Sequence, residues 1–161
     1  MLILLIIYKY LKGLFIMGKF KQGHFEPKNP EKYKGNRPIV YRSSWELKFM
    51  SWADSTPEIT EWISETIFVH YYNPIKKKMC RYFPDFVITK KSGEKYLIEI
   101  KPLKETMPPE RKKGKRKATL LYEQLTWATN QSKWQAAEKW AKKYGMKFII
   151  ITEKTLYPHR N

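Results

Sequence analysis

One cysteine, Cys80, in 161 residues excludes an intrachain disulfide framework. Histidine is nearly as scarce, and three scattered His with a single Cys do not make a structural zinc site. No apolar run reaches the ~20 residues that span a bilayer. The longest, Leu2-Ile3-Leu4-Leu5-Ile6-Ile7 within the first sixteen residues, also lacks a basic leader region and a small-residue cleavage site. It reads as neither anchor nor signal, and the chain is expected to be intracellular, with no membrane partner and no small-molecule cofactor. Acidic residues are few as well. Fifteen Asp and Glu stand against thirty-two Lys and Arg, a formal charge of +17. That balance is the electrostatic footprint of a protein that handles nucleic acid; the alternative is a basic surface kept for solubility.

What the sequence does hold is core-forming material, 42% hydrophobic and 16% aromatic, enough for one folded unit. Its centre is residues 84–101. Val87-Ile88-Thr89 and residues 96–100 are β-branched or aromatic enough for strands, and Gly93 supplies the positive φ of a short hairpin turn. With Lys91-Ser92-Gly93 as a three-residue loop, Lys90 faces Glu94 and the ladder sets Asp85 opposite Glu99. Alternation puts Leu97, Glu99 and Lys101 on one face and Tyr96, Ile98 and Ile100 on the other. Facing Cβ atoms lie about 4.5–5.5 Å apart, within reach of one hard cation such as Mg²⁺, with Mn²⁺ able to substitute. The Ile100 carbonyl is an additional candidate ligand. Lys101 could orient a water or offset charge on a phosphate. The plain alternative, a polar pair on a solvated sheet face, fits poorly, because two facing carboxylates destabilise a sheet unless a cation lies between them.

Before this hairpin, residues 18–42 are basic and broken by Pro27, Pro30, Gly35 and Pro38, which predicts an irregular arm whose cations, Arg42 among them, either follow a DNA backbone or are merely solvated. A helix is expected from Ser43, with Ser43-x-x-Glu46 as a capping box and Trp45, Phe49, Trp52 and Ala53 on one face. Residues 59–65 read as an irregular link and 66–72 as a strand on which His70 is a face residue rather than a ligand. Asn73-Pro74 and the following lysines make a turn into the central hairpin, giving a three-strand meander. After it, residues 102–119 hold seven basic residues against two acidic ones. They read as a loop, mobile when free, that clamps phosphates through Lys104, Lys112, Lys113, Lys115, Arg116 and Lys117; a solvated loop is the alternative. Two helices, the second capped by Asn130, then lead through Gly145 to a buried strand at 146–152. The tryptophans at 45, 52, 134 and 140 are assigned to the core.

Pro84-Asp85 followed by Glu99-Ile100-Lys101 resembles the PD-(D/E)XK nuclease superfamily, metal-dependent enzymes that cut nucleic-acid phosphodiesters. More of the chain is similar to one member family, the head completion nucleases of T-even-like bacteriophages. The matching stretches include Tyr41 to Glu46, Pro57-Glu58-Ile59 with Trp62, Arg81-Tyr82-Phe83, Ile98 to Pro102, Lys133-Trp134 and Thr152-Glu153. The resemblance implies an α/β, restriction-endonuclease-like core, a mixed β-sheet flanked by helices in the order α-β-β-β-α-α-β. The expected layout is an extension and arm at 1–42, the nuclease domain at 43–155 and a tail at 156–161. It implies Glu46, Asp85, Glu99 and Lys101 as catalytic residues, with Asp85, Glu99 and Ile100 at the metal. The implied task is trimming packaged DNA during head completion, with phage head or neck proteins as partners, in the host cytoplasm or the virion. Met17-Gly18-Lys19 resembles the family's start, so residues 1–16 are either an upstream misassigned start or a short docking extension. Another branch of the superfamily, acting on transposon ends or in repair, and a silent DNA-binding head protein are the alternatives.

Overall fold

The computed structural model describes residues 22–158, so the readings of residues 1–16 and of the start at Met17 lie outside the described residues. In chain order the elements are β1 (Gly23–His24), β2 (Val40–Tyr41), α1 (Ser44–Ser55), β3 (Ile59–Ser64), β4 (Val69–Asn73), β5 (Lys78–Tyr82), β6 (Phe86–Lys90), β7 (Lys95–Ile100), α2 (Lys117–Lys143), β8 (Met146–Ile151) and α3 (Glu153–Leu156). Short 3₁₀ turns stand at Pro30–Lys32 and Leu103–Glu105.

The core is a four-stranded mixed sheet in the order β3-β6-β7-β8. Its first three strands are antiparallel, and β8 runs parallel to β7 with Glu99 beside Ile150. A parallel neighbour requires a crossover, which α2 provides. The alternation along β6 and β7 divides the core in two. Phe86, Ile88, Tyr96, Ile98 and Ile100 meet α1 through Phe49, Met50, Trp52 and Ala53, whereas Val87 and Leu97 meet α2 through Ala137 and Ala141. Ile88, Leu97 and Ile98 are fully buried, each contributing about 1.5–3 kcal/mol of transfer free energy.

Helix α1 starts where its capping residues lie: Ser43 Oγ accepts the Glu46 N–H at 3.1 Å. The preceding arm is irregular but packed, because apolar residues punctuate its basic sequence. Tyr33 and Ile39 are buried, and the Tyr33 ring meets Trp62 edge-on at 4.5 Å. The N–H groups of Lys28 and Asn29 donate to the buried Asp54 carboxylate at 2.8 and 3.2 Å, which ties the arm to the end of α1.

Four local expectations need correction. Residues 59–64 form β3, an edge strand of the main sheet; a register shift between Ile59 and Glu61 interrupts the period of two that would have revealed it. The next strand begins at Val69 rather than Thr66, and among the described residues it pairs only with β5. The strands are therefore no single meander: β4–β5 is a separate hairpin inserted between β3 and β6. Finally, α2 is one helix of 27 residues. Asn130 is buried in its interior instead of capping a second helix, since neither Gly nor Pro interrupts residues 117–143. Gly145, at φ +68°, ends it as expected.

Candidate active site

The turn of the central hairpin sets the register of everything beyond it. Gly93 has φ +83°, its N–H donates to Lys90 O at 2.9 Å, and Lys90 N–H donates to Glu94 O at 2.9 Å. Lys90 thus faces Glu94 and Phe86 faces Ile98; Asp85, in the bend just before β6, lies at the open end of this ladder, close enough to Glu99 to feel its charge. From Lys90–Glu94 to Phe86–Ile98 this is the predicted register. Asp85 Oδ2 is fixed by the Ile100 N–H at 2.6 Å. Glu99, only 3% exposed, accepts the Tyr82 hydroxyl on Oε2 at 2.5 Å and meets Lys101 Nζ on Oε1 at 3.2 Å. Both carboxylates are oriented before any ligand arrives.

The electrostatics follow from burial of like charges. Burial first, and then the Glu99 charge, push the Asp85 carboxyl well above its ordinary range. Burial also raises Glu99, against the opposing pull of Lys101 and the Tyr82 hydroxyl. Lys101 loses solvation, but the two carboxylates outweigh that loss and hold it protonated. Under-neutralised oxygen donors with no sulfur or imidazole among them suit a hard divalent cation.

Glu46 stands apart from this pair. Its carboxylate accepts the Arg42 N–H at 2.8 Å and the Ser43 hydroxyl at 2.9 Å, a capping arrangement, while its charge still disfavours ionisation of Asp85. Among the described residues, no three His, Cys, Asp or Glu side chains are grouped to hold an ion. His70 lies exposed on β4, against Phe68.

Of the candidate phosphate contacts, Lys104, Lys112, Lys113, Arg116 and Lys117 are exposed, the last within the first turn of α2. Two others already have partners. Arg42 forms a two-pronged pair with Glu65 at 3.0 and 2.8 Å, and Lys115 is held by Glu123 at 2.6 Å and the Glu110 carbonyl at 2.9 Å. Between the basic loop and α2 lies a cleft of about 830 Å³ lined by Lys104, Met107, Lys112, Lys115, Tyr122 and Trp127.

Sequence reasoning gave no role to Tyr82 or Lys133. Tyr82 ends β5, three residues before Asp85, with its side chain turned inward. Lys133 projects from α2 toward the pair, with its ammonium 5.7 and 5.5 Å from the Tyr71 and Tyr82 ring centres. Burial, and then the charge of Lys101, lower its pKa, while Glu99 and Asp85 pull the other way. A signal existed: a lysine four residues before Ala137, on the helical stripe Asn130-Trp134-Ala137-Ala141 that faces the sheet, has no ordinary reason to be there.

Two comparisons bear on this arrangement. The profile of the family described as "TnsA-like endonuclease N terminal" matches residues 56–153. The head completion nuclease of Enterobacteria phage T4 is 43% identical to this chain over 138 residues, covering 83% of this chain and 92% of that protein. Both matches contain the hairpin with Asp85, Glu99 and Lys101.

Proposed function

The chain belongs to the TnsA-like endonuclease family, and from that premise we propose that it is a Mg²⁺-dependent deoxyribonuclease that hydrolyses phosphodiester bonds. The observation that carries the reading is the convergence of two buried carboxylates and an ammonium: Asp85, held by the Ile100 N–H, lies in the field of Glu99, and Lys101 is 3.2 Å from Glu99. Asp85 and Glu99 would hold the divalent cation, with the Ile100 carbonyl as an additional ligand; when bound, the ion supplies Lewis acidity and an acidified water. The Ile100 N–H keeps Asp85 aimed, and the Tyr82 hydroxyl keeps Glu99 aimed. Lys101 orients the attacking water and offsets charge that builds on the phosphate, and Lys133 adds a second positive group on the same side. Glu46 joins the site by leaving its capping partners. Arg42 and the loop cations Lys104, Lys112, Lys113, Lys115, Arg116 and Lys117 contact flanking phosphates. For Arg42 and Lys115 this means exchanging a carboxylate for a phosphate.

The T4 relative's name supports head completion as the biological task, and we read that task as trimming packaged DNA within the infected cell, beside head or neck proteins. The endonuclease family match leaves a second reading, action at transposon ends or in repair, as in another branch of the superfamily. Identity across nearly all of a head completion nuclease supports the first more closely, and restoration of infectivity to T4 particles defective in that protein would separate them.

The activity test is plasmid nicking by purified protein. Wild type should cut with Mg²⁺ or Mn²⁺ and stop in EDTA, and Asp85→Ala should be inactive. Cutting that survives EDTA, or that Asp85→Ala leaves undiminished, would overturn the reading.

A further inference from the structure

The β4–β5 hairpin buries one face and bares the other. Val69, Tyr71 and Tyr82 point inward, while Phe68, Tyr72, Met79 and Phe83 are 42%, 52%, 60% and 47% exposed. On the outer face His70 is paired with Arg81 and Tyr72 with Met79. The Phe68 ring meets His70 edge-on at 5.2 Å, lies 6.0 Å from Phe83, and has the Arg81 guanidinium at 5.7 Å. Large apolar side chains exposed side by side on one face, rather than scattered singly, mark a contact site. Nothing in the active-site chemistry uses it.

Its chemistry narrows the occupant. Residues 66–84 contain no Asp or Glu, yet carry Lys76, Lys77 and Lys78 at the turn and Arg81 on the outer face. An apolar face in an acid-free, cationic setting favours a polyanion with flat apolar groups, which is nucleic acid. Spacing then chooses its form. In a duplex both faces of each base are covered by neighbours about 3.4 Å away, so a side-chain ring can stack only on a base that has left the helix, and outward residues recurring about every 6.7 Å along a strand leave room for such splayed bases. An unpaired strand supplies them. The face also runs toward the scissile chemistry, because Phe83 is two residues before Asp85.

Resting on the nuclease reading, we infer that the outer face of β4–β5 is a stacking platform for an unpaired DNA strand flanking the bond to be cut. The substrate class becomes DNA with a single-stranded or frayed segment, rather than blunt duplex alone. The backbone phosphates follow Arg81 and the turn lysines.

Binding in EDTA tests this without cutting. A labelled oligo(dT) of about 12 nucleotides, a length within known single-strand site sizes, is compared with a blunt duplex of equal length. Phe68→Ala and Tyr72→Ala should each weaken oligo(dT) binding about tenfold and leave duplex binding unchanged, while Tyr72→Phe, which keeps the ring, should match wild type. In wild-type protein, photocrosslinks from iodouridine-substituted oligonucleotide should fall on Phe68, Tyr72 or Phe83. Unchanged oligo(dT) affinity in both alanine variants overturns the inference, and would suit a protein-docking face instead. Equal losses for oligo(dT) and duplex, or crosslinks confined to other elements, overturn it too. Wild-type protein that binds neither DNA would sink the nuclease reading along with it.

Discussion

The two hairpins β4–β5 and β6–β7 are built alike and used oppositely. β6–β7 lies inside the sheet between β3 and β8, with Ile88, Leu97 and Ile98 fully buried and two carboxylates at its open end. Among the described residues β4–β5 pairs with no third strand, and it leaves Phe68, Tyr72, Ile75, Met79 and Phe83 in solvent. The difference separates two demands on a nuclease. Reacting groups need a frame that cannot shift by an ångström, which a strand packed on both faces supplies. A surface that receives a long polymer needs to be open. The hairpins share the apolar cluster of Val69, Tyr71, Tyr82, Val87 and Leu97, and the Tyr82 hydroxyl donates to Glu99, so the outer element also sets the inner element's carboxylate.

The sharpest break in that comparison comes at Lys101. If Asp85 and Glu99 hold the ion while Lys101 serves water and the transition state, Lys101→Ala should keep metal affinity. Its turnover should nevertheless fall about 10²- to 10³-fold, the usual worth of one electrostatic donor. Glu99→Gln removes a ligand charge and should lower metal affinity as well. Calorimetric metal titration beside nicking at saturating Mg²⁺ reads both. Near wild-type turnover in Lys101→Ala would reduce the lysine to a structural neighbour.

A smaller effect tests the contrast of frame and platform directly. Leu97→Ala opens a cavity in the buried hairpin and should cost about 2–5 kcal/mol in urea unfolding. Met79→Ala on the bare face should stay within about 0.5 kcal/mol. Similar losses in the two variants would mean that the outer face is packed, and the comparison would fail.

Which parts were legible in the sequence follows the same division. The register of β6 on β7 could be read because a three-residue loop with Gly93 leaves no freedom in the count along the ladder, and the sheet faces followed from strict alternation at residues 96–100. β3 was hidden by a single irregularity between Ile59 and Glu61, since a period of two cannot be seen across a bulge. The division of α2 into two helices gave Asn130 a capping propensity that tertiary burial overrides. Lys133 and Tyr82 join the site only through packing of α2 and β5 against the sheet, contacts between segments far apart in the chain. The separateness of the outer hairpin has the same origin. Pairing partners are a property of the assembled sheet, and β4 by itself reads like any half-buried strand.

The smallest effect expected is on stability, and it runs against intuition. In metal-free protein the folded pKa of Asp85 is raised above its unfolded value of about 3.9. Below the unfolded value both states are protonated and the group contributes nothing. As pH rises from there to the folded pKa, the unfolded chain has lost the proton that the folded chain still keeps, so stability falls; above the folded pKa the loss is complete and constant. Asp85→Asn keeps an acceptor for the Ile100 N–H and removes the charge. It should therefore melt a few degrees above wild type at pH 8 in EDTA, since ~1 kcal/mol is worth about 2–4 °C in a chain of this size. The gap should close as pH approaches 4. Added Mg²⁺ should reverse the order, raising the Tm of wild type and leaving that of Asp85→Asn nearly unmoved, because the ion stabilises only the state that holds its ligands. Thermal melts of both proteins at several pH values, with and without the ion, decide it. A variant that melts below wild type in EDTA at pH 8 would mean that Lys101 and Lys133 already neutralise the two carboxylates, and that the open end of the inner hairpin has no need of a cation.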